Sequence, residues 1–253
     1  MANNKYWLDR MENVQKLTDK QVTRRLKKLY QQANKRINKE VNNIWMQMLE
    51  DGEISITNLY KGMRFSNLQN LLQSELVSLS RVTEKYLSNV LLEVAKQGYF
   101  DMNTYINKPT DFTILDAENA KQIIAQQYKG AVFSERIWNN TTKLKGVIEN
   151  KIIETTILGK DVRKASNELN KLMGSGYSQS KRIVVTETSH IYNESCRQKA
   201  QDNGYKTYHI LLEPDACEEC VALEKEHFDI NESVIPVHPR CKCTLIIDLP
   251  ELY

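Results

Sequence analysis

Between residues 20 and 49 an apolar side chain returns every third or fourth position, at Val22, Leu26, Leu29, Ala33, Ile37, Val41, Ile44 and Met48. At about 3.6 residues per turn this spacing lines one long, narrow face of a helix. A second run, from Leu68 to Val94, repeats the pattern through Leu72, Leu76, Leu79, Val82, Leu87 and Leu91. The two stripes are expected to pack as an antiparallel pair, as one wall of a bundle or as a coiled-coil seam.

Proline changes the pattern further along. Only Pro109 lies in the first 213 residues, whereas Pro214, Pro236, Pro239 and Pro250 crowd the end. Proline is excluded from helix interiors, so the long proline-poor portion can be helical and the end must turn. The polar stretch 98–112 reads as a linker, followed by helices near 116–129, 132–140 and 142–158. Asp161 is expected to cap the next helix and Gly174 to stop it; Ser178 and Gly204 would bound another. "YKTYHILLEP" and "CTLIIDLP" read as strands, with a cysteine-rich loop between them. The expected fold is mainly α: a long helical N-terminal region, then a small α+β C-terminal module around a cysteine-rich zinc site.

Composition narrows the class. The 253 residues are 41% hydrophobic and 26% charged, which suits a chain that buries a core. No apolar run approaches the roughly 18 residues of a membrane span, and the first residues lack a secretory leader. The expectation is a protein kept in a reducing cytoplasm, where clustered cysteines favour metal over disulfide. Charge is uneven: residues 1–40 carry an excess of +7, leaving the remainder at −4 within a whole-chain +3. Lys20, Arg24, Arg25, Lys27, Lys28, Lys35, Arg36 and Lys39 could contact DNA or an acidic partner face, or form a solvated helix face.

The chemistry concentrates in residues 215–243, "DACEECVALEKEHFDINESVIPVHPRCKC". Cys217 and Cys220 form a C-x2-C; after seventeen residues His238, Cys241 and Cys243 follow as H-x2-C-x-C. Tetrahedral zinc takes N and S donors, and a C-x2-C turn supplies two thiolates that a distant pair can complete. Five candidates compete for four places. Reduced cysteines packed beside two strand ends, or a redox pair, are the alternatives. Neither H-E-x-x-H nor a glycine-rich phosphate loop occurs, and Glu187 with His190 is a lone E-x-x-H, so no enzymatic activity is expected. The cysteine loop is acidic, through Glu213, Asp215, Glu218, Glu219, Glu224, Glu226, Asp229 and Glu232. That charge disfavours direct contact with phosphate.

The order "RIVVTE" (182–187), "NGY", "DACEECVALEKEHF", "HPRCKC" resembles the head-morphogenesis domain of tailed bacteriophages, the Mu F-like minor head proteins. "GAVFSERIWNN" and "IETTILGKDV" are also similar, so the resemblance covers about residues 115–248. It implies a helical region at 1–110 and a Mu F-like domain at 111–253, with its cysteine-rich module at 205–253. Arg182, Thr186, Glu187 and Asp215 fall on polar positions of the family motif. Cys217, Cys220, His238, Cys241 and Cys243 fall on its metal-binding positions, for a structural Zn2+. The single Pro236 before His238 departs from the two prolines the family often shows. The resemblance further implies a minor capsid component of the virion, in the head interior or near the portal, assembled in the host cytoplasm. Its partners would be portal protein, major capsid protein or packaged double-stranded DNA, with self-association through helices and a role in DNA ejection. The alternatives are a nucleic-acid-binding zinc protein and a thiol-dependent phage effector enzyme.

Overall fold

Helix α1 (Ala2–Thr18) passes through a π-helical turn at Asp19–Thr23 into α2 (Arg24–Glu50). In this computed structural model, which describes residues 2–106 and 115–248, the first apolar stripe is the buried face of α2. Tyr30 and Trp45 join the stripe, while Leu29 is only half-buried. A short helix α3 (Ile56–Tyr60) is capped by the Ser55 hydroxyl, which accepts from the Asn58 N–H. Then α4 (Arg64–Tyr105) carries the second stripe, with Val82 half-buried at its edge.

Two compact units form, and they are not contiguous in sequence. One comprises Arg24–Lys85 and Ser134–Lys181; the other comprises Met1–Thr23, Tyr86–Phe133 and Arg182–Tyr253. The linear boundary expected at 110/111 falls in residues 107–114, outside the described residues. Two long helices, α4 and α7 (Val162–Asp202), contribute to both units.

The first-named unit is a bundle of α2, the N-terminal part of α4, α6 (Phe133–Ile157) and the N-terminal part of α7. Arg36 pairs with Glu75 and Arg64 bonds Gln47: eleven residues down α2 match eleven up α4, so the two are antiparallel as expected. Ser80 with Thr141, and Glu84 with Trp138, set α6 antiparallel to α4. Tyr30 and Asn140 both reach Ser180, which ties α7 to α2 and α6. Leu26, Ile37, Ile44, Leu68, Leu72, Ile148 and Leu169 fill the interior.

The second unit packs α1, the end of α4, α5 (Ala117–Ile124) and the C-terminal part of α7 with a three-stranded sheet. Its strands are β1 (Thr207–Leu211), β2 (His227–Asp229) and β3 (Thr244–Ile247), antiparallel in the order β2-β1-β3. The fold is therefore mainly helical with a small C-terminal α+β region, as the sequence pattern implies.

Four sequence expectations need correction, and glycine explains two of them; one of the others is that α5 stops at Ile124 rather than near 129, ahead of the Tyr128–Ala131 bridge. Residues 98–105 are the end of α4 rather than linker; residues 107–112 of that stretch lie outside the described residues. Gly98 does not break the helix. It permits close approach, because a Cβ there would lie 2.6 Å from the Tyr192 carbonyl oxygen of α7. Likewise α7 is one helix through Gly174 and Ser178; a Cβ at Gly176 would meet Leu144 Cδ2 at 2.5 Å. Asp161 does cap α7, accepting from the Lys164 N–H, and Gly204 follows its end. Residues 132–140 and 142–158 form the single helix α6, since the polar Asn-Asn-Thr-Thr between them stays helical.

Candidate metal centre

The chain leaves β1 through Pro214, makes a helical turn α8 (Glu218–Val221), returns as β2 and reaches β3 through residues 230–243. Cys217 is the N-cap of α8, and its carbonyl accepts from the Val221 N–H. That single turn brings Cys217 and Cys220 together, which is the geometric use of C-x2-C spacing. The other arm is a β-turn, His238-Pro239-Arg240-Cys241, closed by the Cys241 N–H on the His238 carbonyl. Proline supplies the second position, and Arg240 at φ 67° takes the left-handed third. Pro236 follows a cis peptide bond from Ile235.

All five ligand candidates converge. Ligand atoms of Cys217, Cys220 and His238 lie within 4.8 Å of one another, as do those of Cys220, Cys241 and Cys243. Cys220 belongs to both groups, and its Sγ is 3.7 Å from Cys241 Sγ. Sulfurs at about 2.3 Å from a tetrahedral metal stand about 3.8 Å apart, so this pair is spaced as one edge of such a site. His238 Nδ1 faces the Pro239 carbonyl oxygen at 2.9 Å. A carbonyl only accepts, so Nδ1 carries the proton and Nε2 keeps a lone pair. The buried cluster of Cys220, Cys241 and Cys243 could hold a metal ion.

The thiols divide their protons unevenly. Cys241 is brought down to about 6 by hydrogen bonds, first from the Cys243 thiol and then from backbone N–H groups of Cys243 and Val237. Burial and the neighbouring Cys241 push Cys220 up to about 12, and Cys243, as donor to Cys241, is also raised. The bare cluster thus favours one thiolate among three sulfurs. A cation at its centre would stabilise the others as thiolates. The fifth cysteine stands apart: Cys196 is buried in α7 with Sγ 3.2 Å from the Gly98 carbonyl, and burial raises its pKa well above the usual thiol range.

Helix α7 anchors the second arm and the segments on either side of it. Thr186 Oγ1 donates to the Arg182 carbonyl and accepts from the Arg240 N–H at 3.0 Å, which fixes the left-handed residue of the turn. Asn193 Oδ1 accepts from Thr244 Oγ1 and from the Leu245 N–H, each at 3.0 Å, and its Nδ2 reaches the Cys243 carbonyl at 3.3 Å. Glu194 accepts from Ser233 and pairs with Arg197 at 2.6 Å; Arg197 in turn donates to the Ile230 carbonyl.

Of the polar positions singled out in the sequence, Thr186 bonds the cysteine loop through the Arg240 N–H. Glu187 is buried with Oε2 at 3.5 Å from His190 Nδ1. The Arg182 side chain is exposed, so its part is its backbone carbonyl, and Asp215 is exposed. Asn193, Glu194 and Arg197 do the anchoring and were not singled out. A concentration of polar residues over 186–195, where Thr186, Thr188, Ser189 and Ser195 accompany Asn193 and Glu194 in one helix, is the signal that could have pointed there. The eight basic residues are all exposed: Lys20 in the sheet-containing unit, the other seven on α2 of the bundle, with Arg36 engaged by Glu75. Among the described residues no helix is long and apolar enough to cross a membrane. No protein-family model, curated protein or solved structure matches the chain.

Proposed function

We propose that this chain is a minor head protein of a tailed bacteriophage, in which a structural zinc ion closes the C-terminal module. The observation that carries the reading is the meeting of motif parts far apart in sequence. Thr186 of "RIVVTE" holds the backbone of Arg240 in "HPRCKC", and Cys220 of "CEEC" stands 3.7 Å from Cys241. These are the residues on which the resemblance rests, and their convergence gives each a structural reason to be there.

Zinc takes Cys220 and Cys241 with two donors from Cys217, His238 and Cys243. Bound there, it supplies a cross-link between α8 and the turn before β3. The role is assembly rather than catalysis. Exposed basic residues on α2 contact packaged DNA or an acidic face of portal or capsid protein, and the acidic cysteine loop docks on protein. The chain acts in the head, near the portal, during assembly and DNA delivery.

Purified particles and procapsids, probed with an antibody to this polypeptide, test the reading. It predicts recovery in both, together with portal protein. A chain absent from particles, yet bound to DNA with a steep salt dependence lost on neutralising the α2 lysines and arginines, would overturn it in favour of a free nucleic-acid-binding protein.

A further inference from the structure

The small sheet has two faces, and the outer one carries a feature that none of the cysteine chemistry uses. Tyr208 and Ile210 of β1 are buried, so by strand alternation His209 between them points outward. His227 of β2 is the residue directly opposite His209 in the antiparallel ladder. Asp248 follows β3, with its N–H bonded to the Thr207 carbonyl of β1. Three strands therefore bring one side chain each to a single point. His209 Nδ1 lies 2.8 Å from Asp248 Oδ1, and His227 Nδ1 lies 2.8 Å from Asp248 Oδ2. The rings are tilted, with centroids 5.7 Å apart.

From this geometry we infer that His209, His227 and Asp248 form a second metal site, an open two-histidine, one-carboxylate site for a divalent transition cation such as Zn2+. The donor set suits that class: imidazole nitrogens favour zinc, nickel, copper and iron, whereas magnesium and calcium prefer oxygen alone. The ligand atoms all lie within 4.8 Å of one another, against about 3.4 Å between donors around a tetrahedral ion at about 2.1 Å. Small rotations of half-exposed side chains close that difference, and the strand register holds their Cα positions. Each Nδ1 faces a carboxylate oxygen, so in the ion-free arrangement both carry protons. On binding, each neutral ring moves its proton to Nε2 through solvent, and the freed Nδ1 lone pairs and the carboxylate coordinate the ion. Waters complete the shell, because His227 is mostly exposed and nothing on its own strand covers it.

None of the five cysteine-site candidates belongs to this trio, so the inference stands independently of the zinc module proposed above. Titration of the reduced full chain with Zn2+ alone, followed by metal analysis and a thiol count, tests it. The expected result is a binding event that leaves thiol reactivity unchanged and shifts the imidazole proton resonances of His209 and His227. In His227→Gln, which keeps a donor for Asp248 without an imidazole, affinity for that ion falls at least about tenfold while thiol protection persists. Equal Zn2+ binding by the parent chain and His227→Gln, or binding that always tracks thiol protection, would overturn the site. Asp248→Asn, compared by urea midpoint, separates loss of ligand from loss of fold: the site predicts lost binding with the sheet retained, and retained binding would also overturn it.

Discussion

Helix α2 and the central stretch of α7 are both helices, but they are held in opposite ways. Along α2 a single stripe is buried, and the rest is mostly lysine, arginine, glutamine and asparagine. From Thr186 to Cys196 in α7 every residue is buried, and most are polar. The hydroxyls make this possible. Thr186, Thr188 and Ser195 each donate to the carbonyl four residues earlier, which satisfies them within their own helix. Asn193 then reaches outward to the Cys243 carbonyl, the Thr244 hydroxyl and the Leu245 N–H, and Glu194 accepts from the Ser233 hydroxyl. Apolar area does most of the holding in the bundle, alongside a few buried hydroxyl contacts such as Tyr30 with Ser180. In the sheet-containing unit individual side chains hold whole backbone segments, and each loss leaves a buried group unsatisfied.

Removing metal is expected to separate the two regions most sharply. With zinc in the cysteine cluster, chelation under reducing conditions should abolish amide protection in β2, β3 and the intervening loop while α2 and α6 stay protected, as hydrogen exchange with mass detection would report. Equal loss across both regions would erase the distinction. Next in size, Asn193→Ala strands the Leu245 N–H, the Thr244 hydroxyl and the Cys243 carbonyl. It should cost about 3–5 kcal/mol in urea unfolding, comparable to truncating a core side chain such as Ile37→Ala at about 2–5 kcal/mol.

Two glycines sharpen the contrast at smaller cost. Gly98→Ala drives a Cβ into the Tyr192 carbonyl and should destabilise by about 1–3 kcal/mol. Gly174→Ala meets open space inside a helix and should stabilise by about 0.5–1 kcal/mol, read as a raised Tm.

Acid gives the smallest effect, and its signs are mixed in the sheet-containing unit. There Asp229, bonded by the Asn231 N–H, and Asp248, where burial is outweighed by hydrogen bonds from His227 and His209, are depressed while Asp101 is raised. In the bundle Asp51, Glu154, Asp161 and Glu168 are depressed, chiefly by hydrogen bonds from Lys61, Lys151, the Lys164 N–H and Lys171. The unfolded chain binds their protons more readily, so their contribution is present above the ordinary carboxylate range and fades as pH falls through their folded values. Asp101, raised first by burial, behaves inversely: its folded form holds the proton more tightly, so its contribution grows as pH falls toward the ordinary Asp value. Trp7 reports on one unit and Trp45 and Trp138 on the other. Single-tryptophan variants unfolded in urea at pH 4 and pH 7 should therefore show the Trp45 midpoint falling more on acidification than the Trp7 midpoint.

The same contrast explains what the sequence could convey. Period and proline placement gave away α2, α4, both long strands and the cysteine loop between them, because those signals are local. Where helices approach at Gly98 and Gly176, the same residue type that elsewhere ends helices was instead making room, and only the partner helix reveals which. Five ligand candidates were legible from spacing. The anchors Asn193 and Glu194, and the trio of His209, His227 and Asp248, were not, since strand register alone makes distant residues neighbours.

The polar character of α7 also bears on the order in which the chain leaves the ribosome. Beyond their own helix, Thr186, Asn193 and Glu194 grip Ser233, Arg240, Cys243, Thr244 and Leu245, all downstream of α7. A nascent chain must therefore present this face to water before its partners exist. An apolar face would invite aggregation during that interval. A face of hydroxyls, amide and carboxylate can wait in solvent and still fasten a single register when the last segment arrives.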